Sequence, residues 1–101
     1  MAGAKRKNPK KTVKPGKDLI SSMVEDFRGK LLKVINQDIK ELIIDMKGVN
    51  NIDSSGLGVL IAAKNSLDQA GGKLLLANVP ENIKSLMQMI GLDRYFSMES
   101  A

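Results

Sequence analysis

The chain has 101 residues, 43% of them hydrophobic, and a formal net charge of +5, with no cysteine and no histidine. That length supports a single small domain with one core, and the missing residue types remove disulfides, thiolate chemistry, the commonest general base and the commonest metal ligand, so a hydrolase or a zinc site is not expected. No run approaches the roughly 18 consecutive apolar residues of a membrane span, and residues 1–18 lack the apolar segment of a signal peptide, so the expectation is a cytoplasmic protein without membrane insertion.

The charge is unevenly placed. Residues 1–17 hold seven basic side chains (Lys5, Arg6, Lys7, Lys10, Lys11, Lys14 and Lys17) and no acid, which leaves residues 18–101 with nine basic against eleven acidic side chains. A segment with one valine and two prolines offers little apolar surface against the entropy of ordering it, so residues 1–17 are read as a basic, largely flexible tail and 18–101 as the domain. Lysine clusters attract phosphate without sequence preference, but no aromatic residue is interleaved for stacking, so no specific nucleic-acid partner is expected. Thr12 and Val13 ahead of Pro15-Gly16 can form a weak strand at most, and lysines there suit an edge strand.

From Leu19 to about Asn36, Ile20, Met23, Val24, Phe27, Leu31, Val34 and Ile35 recur at spacings of three and four, which predicts an amphipathic helix. Asp18, or Ser22 with Glu25 in an S-x-x-E box, can cap it. Leu42 to Met46 reads as a short strand buried on both faces, ended by Lys47, Gly48, Asn50 and Asn51. Asp53-Ser54-Ser55 offers three capping residues before a helix carried by Leu57, Leu60, Ile61 and Leu67, which Gly71-Gly72 ends through a left-handed cap. Lys73 to Val79 is the second central strand. Pro80 opens a helix with Ile83, Leu86, Met87 and Ile90 on one face, Gly91 closes it, and Leu92, Tyr95 and Phe96 form a closing apolar turn or strand. Strands alternating with helices across short loops predict an α/β domain, a mostly parallel sheet flanked by helices, with the amino-terminal strand reduced or missing. Two central strands need a further one, which the amino-terminal segment is expected to supply.

Two hydroxyls thus stand at the carboxyl end of a sheet strand, where open α/β sheets keep their sites. Asp53-Ser54-Ser55-Gly56-Leu57-Gly58, the preceding Leu-Ile-Ile-Asp-Met strand, Gly71-Gly72-Lys73-Leu74 and Ile90-Gly91-Leu92 occur in the order that resembles bacterial anti-anti-sigma factors (anti-sigma factor antagonists) of the STAS domain class, over about residues 16–97. The resemblance implies a protein that binds a cytoplasmic anti-sigma factor with serine kinase activity, is inactivated by phosphorylation of a serine in this motif, and is restored by a serine phosphatase. Carried onto this chain, the acceptor is Ser55, with Ser54 the alternative. A scaffold or accessory subunit of a stress-sensing or transport complex is the other function this domain class implies.

A phosphoryl group here is expected to sit at unpaired helix N–H groups and the positive end of a helix dipole. Ser55, followed by Gly56, is expected to be the less crowded hydroxyl, and Ser54 to act as the cap. Gly56 and Gly58 are expected to leave the first turn narrow enough for a partner backbone to approach. Asp45 with Asp53 makes a poor metal pair because no further oxygen ligand lies in a recognisable loop, and Gly56-x-Gly58 lacks the third glycine of a dinucleotide fingerprint and the lysine of a P-loop, so no metal or cofactor is expected. The resembled family begins with two strands before its first helix, and the lysine-rich segment stands in that place here. If a first strand is missing, the bare sheet edge could form a homodimer.

Overall fold

The computed structural model describes residues 10–37 and 39–100. Seven elements follow one another: β1 (Lys10–Val13), α1 (Val24–Ile35), β2 (Glu41–Asp45), α2 (Ser54–Gln69), β3 (Lys73–Val79), α3 (Glu81–Met89) and β4 (Ser97–Ser100). The strands form one sheet in the order β1-β2-β3-β4, and each neighbouring pair is parallel. A sheet whose spatial order equals its chain order, joined by right-handed crossovers, carries all its crossover helices on one face. Burial along the strands agrees. Leu42, Ile44, Leu74 and Leu76 point into a closed core, whereas Ile43 and Leu75, their neighbours on the other face, are only half-buried. The expectation that β2 is buried on both faces is corrected to that extent.

The core is one apolar cluster. Val24, Phe27 and Leu31 of α1, Val59, Leu60, Ala63 and Leu67 of α2, and Ile83 and Met87 of α3 all pack into it, and among the described residues no polar or charged side chain is buried. The carboxyl-terminal turn is clamped to α2 by Tyr95, whose hydroxyl meets Asn65 Oδ1 at 2.6 Å and whose ring lies beneath the Lys64 ammonium. Phe96 is buried edge-on to that ring. Met89 is exposed, and Met98 is half-buried against the core.

Strand β1 forms. Lys10 to Val13 pair in register with Glu41 to Ile44, and Lys10 and Lys14 lie 3.9 Å from Glu41 and Asp45 respectively. The amino-terminal strand is therefore short rather than missing, and the bare β2 edge that a homodimer would have used is occupied. Lys10 onward belongs to the sheet and its first loop, while residues 1–9 of the basic segment lie outside the described residues. Strand is not confined to the amino-terminal segment and the two central strands, because β4 at the carboxyl end pairs with β3 as a fourth.

Helix α1 starts at Val24, five residues later than its apolar spacing predicts. Leu19 belongs instead to a parallel bridge with Ile52, its N–H bonded to Asn51 O at 3.0 Å, and it is fully buried there. Tertiary pairing holds residues 19–23 out of the helix, and Met23 occupies the cap position without a side-chain bond. Neither Asp18 nor the Ser22–Glu25 box caps α1. The ends of α2 and α3 follow the glycine expectation. Gly71 and Gly91 have φ of 78° and 79° and donate to Asp68 O and Gln88 O, while the next residues, Gly72 and Leu92, donate to Leu67 O and Met87 O, the paired bonds of a Schellman ending.

Candidate functional site

The loops that follow β1, β2 and β3 meet at the carboxyl edge of the sheet, and two aspartates tie them together. Asp18, on the first loop, accepts the N–H groups of Asn50 and Asn51 at 2.9 and 3.1 Å with one oxygen and the Asn51 amide at 3.0 Å with the other. Asn82, at the start of α3, donates to Asn50 O at 2.7 Å and adds the third loop. Asp53 is the cap of α2. Its Oδ1 accepts from Ser55 N and Gly56 N at 2.9 and 3.1 Å, and its Oδ2 reaches back to Ser21 N at 2.9 Å.

These bonds favour the ionised carboxylates. The side-chain amide of Asn51, then the backbone of Asn50, lowers Asp18 below the ordinary range. The N–H of Ser21, followed by that of Gly56, does the same for Asp53. Asp45, at the end of β2, is lowered by the Asn78 amide, 2.9 Å away, and then by the Lys47 N–H. Asn78 reaches it from a left-handed backbone position (φ 53°) in the irregular stretch of β3, a conformation that asparagine tolerates better than other branched or bulky residues.

The motif residues are brought together with differences from expectation. Asp53, not Ser54, supplies the cap, because its carboxylate satisfies two donors of the first turn at once. The N–H groups of Ser55 and Gly56 are consequently occupied, and that of Leu57 goes to Asp53 O at 2.9 Å, so the first turn presents fewer donors to an incoming phosphate than expected. Ser54 is exposed and Ser55 half-buried, the reverse of the expected crowding, because the helix turns inward at the residue after Ser55.

Gly56 is itself buried, and a Cβ there would collide with the Leu19 carbonyl and come within 2.8 Å of Leu19 Cβ and 2.9 Å of Ile52 Cγ1. Its missing side chain thus serves the contact between α2 and the Leu19 bridge rather than a partner's approach. Gly58 is different, being exposed with nothing within 4 Å of a would-be Cβ. Leu57 is half-buried against the core.

Beside the serines, α1 and α2 enclose an open groove of about 410 Å³, lined by Ser54, Ser55, Gly58, Val59, Ala62, Ala63 and Ser66 from α2 and by Arg28, Leu31, Leu32 and Ile35 from α1. Leu32 is 57% exposed, a large apolar side chain left facing solvent. Sequence reasoning did not assign Arg28, Leu32 or the Asp18 tie to this site. Asp18 was legible as a capping residue, but the donors it serves lie 32 and 33 positions away.

A family model described as the STAS domain matches residues 4–101. An anti-sigma F factor antagonist of Lysinibacillus sphaericus is 29% identical over 70 residues, a match covering 68% of this chain and 60% of that protein, so the chain aligns with less than two thirds of this relative's length. Among solved structures, the Bacillus cell fate determinant SpoIIAA in its phosphorylated form superposes with a TM-score of 0.71 at 22% identity, covering 94% of this chain and 86% of that one. A sulfate transporter family protein from Wolinella succinogenes gives a TM-score of 0.78 at 21% identity, covering 97% and 84%. At those identities the structural likeness is one of fold.

Proposed function

The chain belongs to the STAS domain family, and we propose that it is an anti-sigma factor antagonist: a binding protein, not an enzyme, that engages a cytoplasmic anti-sigma factor with serine kinase activity. Its partner-facing end is the carboxyl edge of the sheet and the α1–α2 groove beside it. The kinase switches it off by transferring the γ-phosphoryl group of ATP to Ser55, with Ser54 the alternative acceptor. A bond forms between the serine oxygen and phosphorus, the bond to ADP breaks, the hydroxyl proton is released, and a serine phosphatase reverses the outcome by hydrolysis. The antagonist name carried by the Lysinibacillus relative supports this reading, as does the phosphorylated form of the Bacillus fold neighbour.

The observation that carries the proposal is the position of the two serines. They open α2 beside a solvent-facing apolar groove, on a turn whose carboxylate cap and buried glycine hold the backbone in place. Phosphate adds about −1.5 to −2 charge at such a rim, and both desolvation and repulsion would oppose an apolar partner. Incubating the chain with ATP and each anti-sigma factor kinase of its genome, followed by intact-mass detection and fragmentation, tests the reading. A gain of one phosphate on Ser55 or Ser54 is expected, and no gain with any kinase would shift the reading to a scaffold or accessory subunit. That second reading draws on the fold shared with a sulfate transporter family protein.

A further inference from the structure

A phosphate on either serine calls for a counter-charge, and two of the helix-start donors that would usually supply it are already used. The N–H groups of Ser55 and Gly56 donate to Asp53, whose negative charge stands next to the modified residue. Across the groove lies Arg28. It is the one charged side chain among the described residues lining that groove, and every α1 neighbour with which it does so is apolar. Side chains on a helix lean toward its amino terminus, and α1 and α2, both crossovers from parallel strands, start at the same edge of the sheet, so Arg28 leans toward the end where the serines sit.

The present engagement of Arg28 is weak. Among the described residues its one ion pair is a 3.6 Å approach to Glu25, with both side chains more than half exposed, an arrangement of little energetic weight. Gly58 leaves the space between open, since nothing lies within 4 Å of a Cβ placed there. A planar guanidinium offers two parallel N–H groups to a phosphate, which Glu25 at this distance does not exploit.

We propose that, once Ser54 or Ser55 is phosphorylated, the phosphate is held in cis by the guanidinium of Arg28 across the α1–α2 groove, drawing Arg28 away from Glu25 and closing the polar end of the groove to a partner. This rests on the antagonist reading and makes Arg28 a positioning residue of the switch. The modification then removes a docking surface as well as adding charge. The phosphate competes with Glu25 for the guanidinium and does so against the repulsion of Asp53 at the start of α2.

The test installs phosphoserine at position 55, and separately at 54, by genetic code expansion, so that no kinase is needed, and follows the phosphate by ³¹P NMR titration. Its second ionisation, ordinarily near about pH 6, is expected to rise by about 0.3 pH unit or more in Arg28→Gln at one of the two positions. Arg28→Lys should recover part of the shift. Lys33→Gln, which removes the same charge from α1 away from the groove, should leave the value unchanged. Equal titration with and without Arg28 at both positions, or an equal shift from Lys33→Gln, overturns the proposal. Failure of kinase transfer, by contrast, bears on the antagonist reading and leaves this measurement intact.

Discussion

Gly56 and Gly58 stand two positions apart and do opposite work. At Gly56 an added methyl group meets backbone and core atoms that cannot swing aside, so Gly56→Ala should destabilise the fold by roughly 1–3 kcal/mol, as overpacking of a closed site does. At Gly58 the same change meets open space and replaces the residue that disfavours helix interiors, so Gly58→Ala should stabilise by about 0.5–1 kcal/mol. Paired denaturant melts check both, and equal effects would contradict the placement of either glycine. If the groove is the docking surface, Gly58→Ala should also weaken partner binding while raising the melting point, a combination that a purely structural glycine would not give.

The start of helix α2 is fixed by its first residues, because two of its opening donors are satisfied by a carboxylate that also holds the loop after β1. The folded protein binds protons to Asp18, Asp45 and Asp53 less readily than the unfolded chain does. Their contribution is therefore fully present above the ordinary carboxylate value of about 3.9, and is lost as pH falls through their lower folded values. Melting temperature should drop over that acid range, and Asp53→Asn should flatten the dependence; an unchanged profile would remove Asp53 from the account. The two central strands, the glycine endings and the start of α2 were legible because local spacing and turn chemistry decide them. The start of α1 was not, since the Leu19–Ile52 bridge outweighs a helical spacing that a single segment shows. Nor was the burial of Gly56, which depends on a strand-like residue 37 positions earlier.

At the scale of the molecule, crossover helices on one face leave the carboxyl edge of the sheet as the place where the loops that follow β1, β2 and β3 converge, and β1 joins the sheet beside β2 despite its lysines. Val13 anchors β1 in the core, so Val13→Ala should cost about 1.5 kcal/mol for two lost methyl groups' worth of burial. A denaturant melt indistinguishable from the parent would mean that β1 adds nothing to the sheet. The central claim is that the serine end of α2 faces the partner and is switched by charge without unfolding. Its most direct measurement is the affinity of the chain and of Ser55→Asp for the anti-sigma factor kinases of the same genome, by calorimetry, alongside thermal melts of both proteins. The expected result is tight binding by the parent to one such kinase, a loss of at least about tenfold, or 1.4 kcal/mol, in Ser55→Asp, and closely similar melts. Equal affinity of the two proteins for that kinase, or a variant that loses binding only because it unfolds, would contradict it.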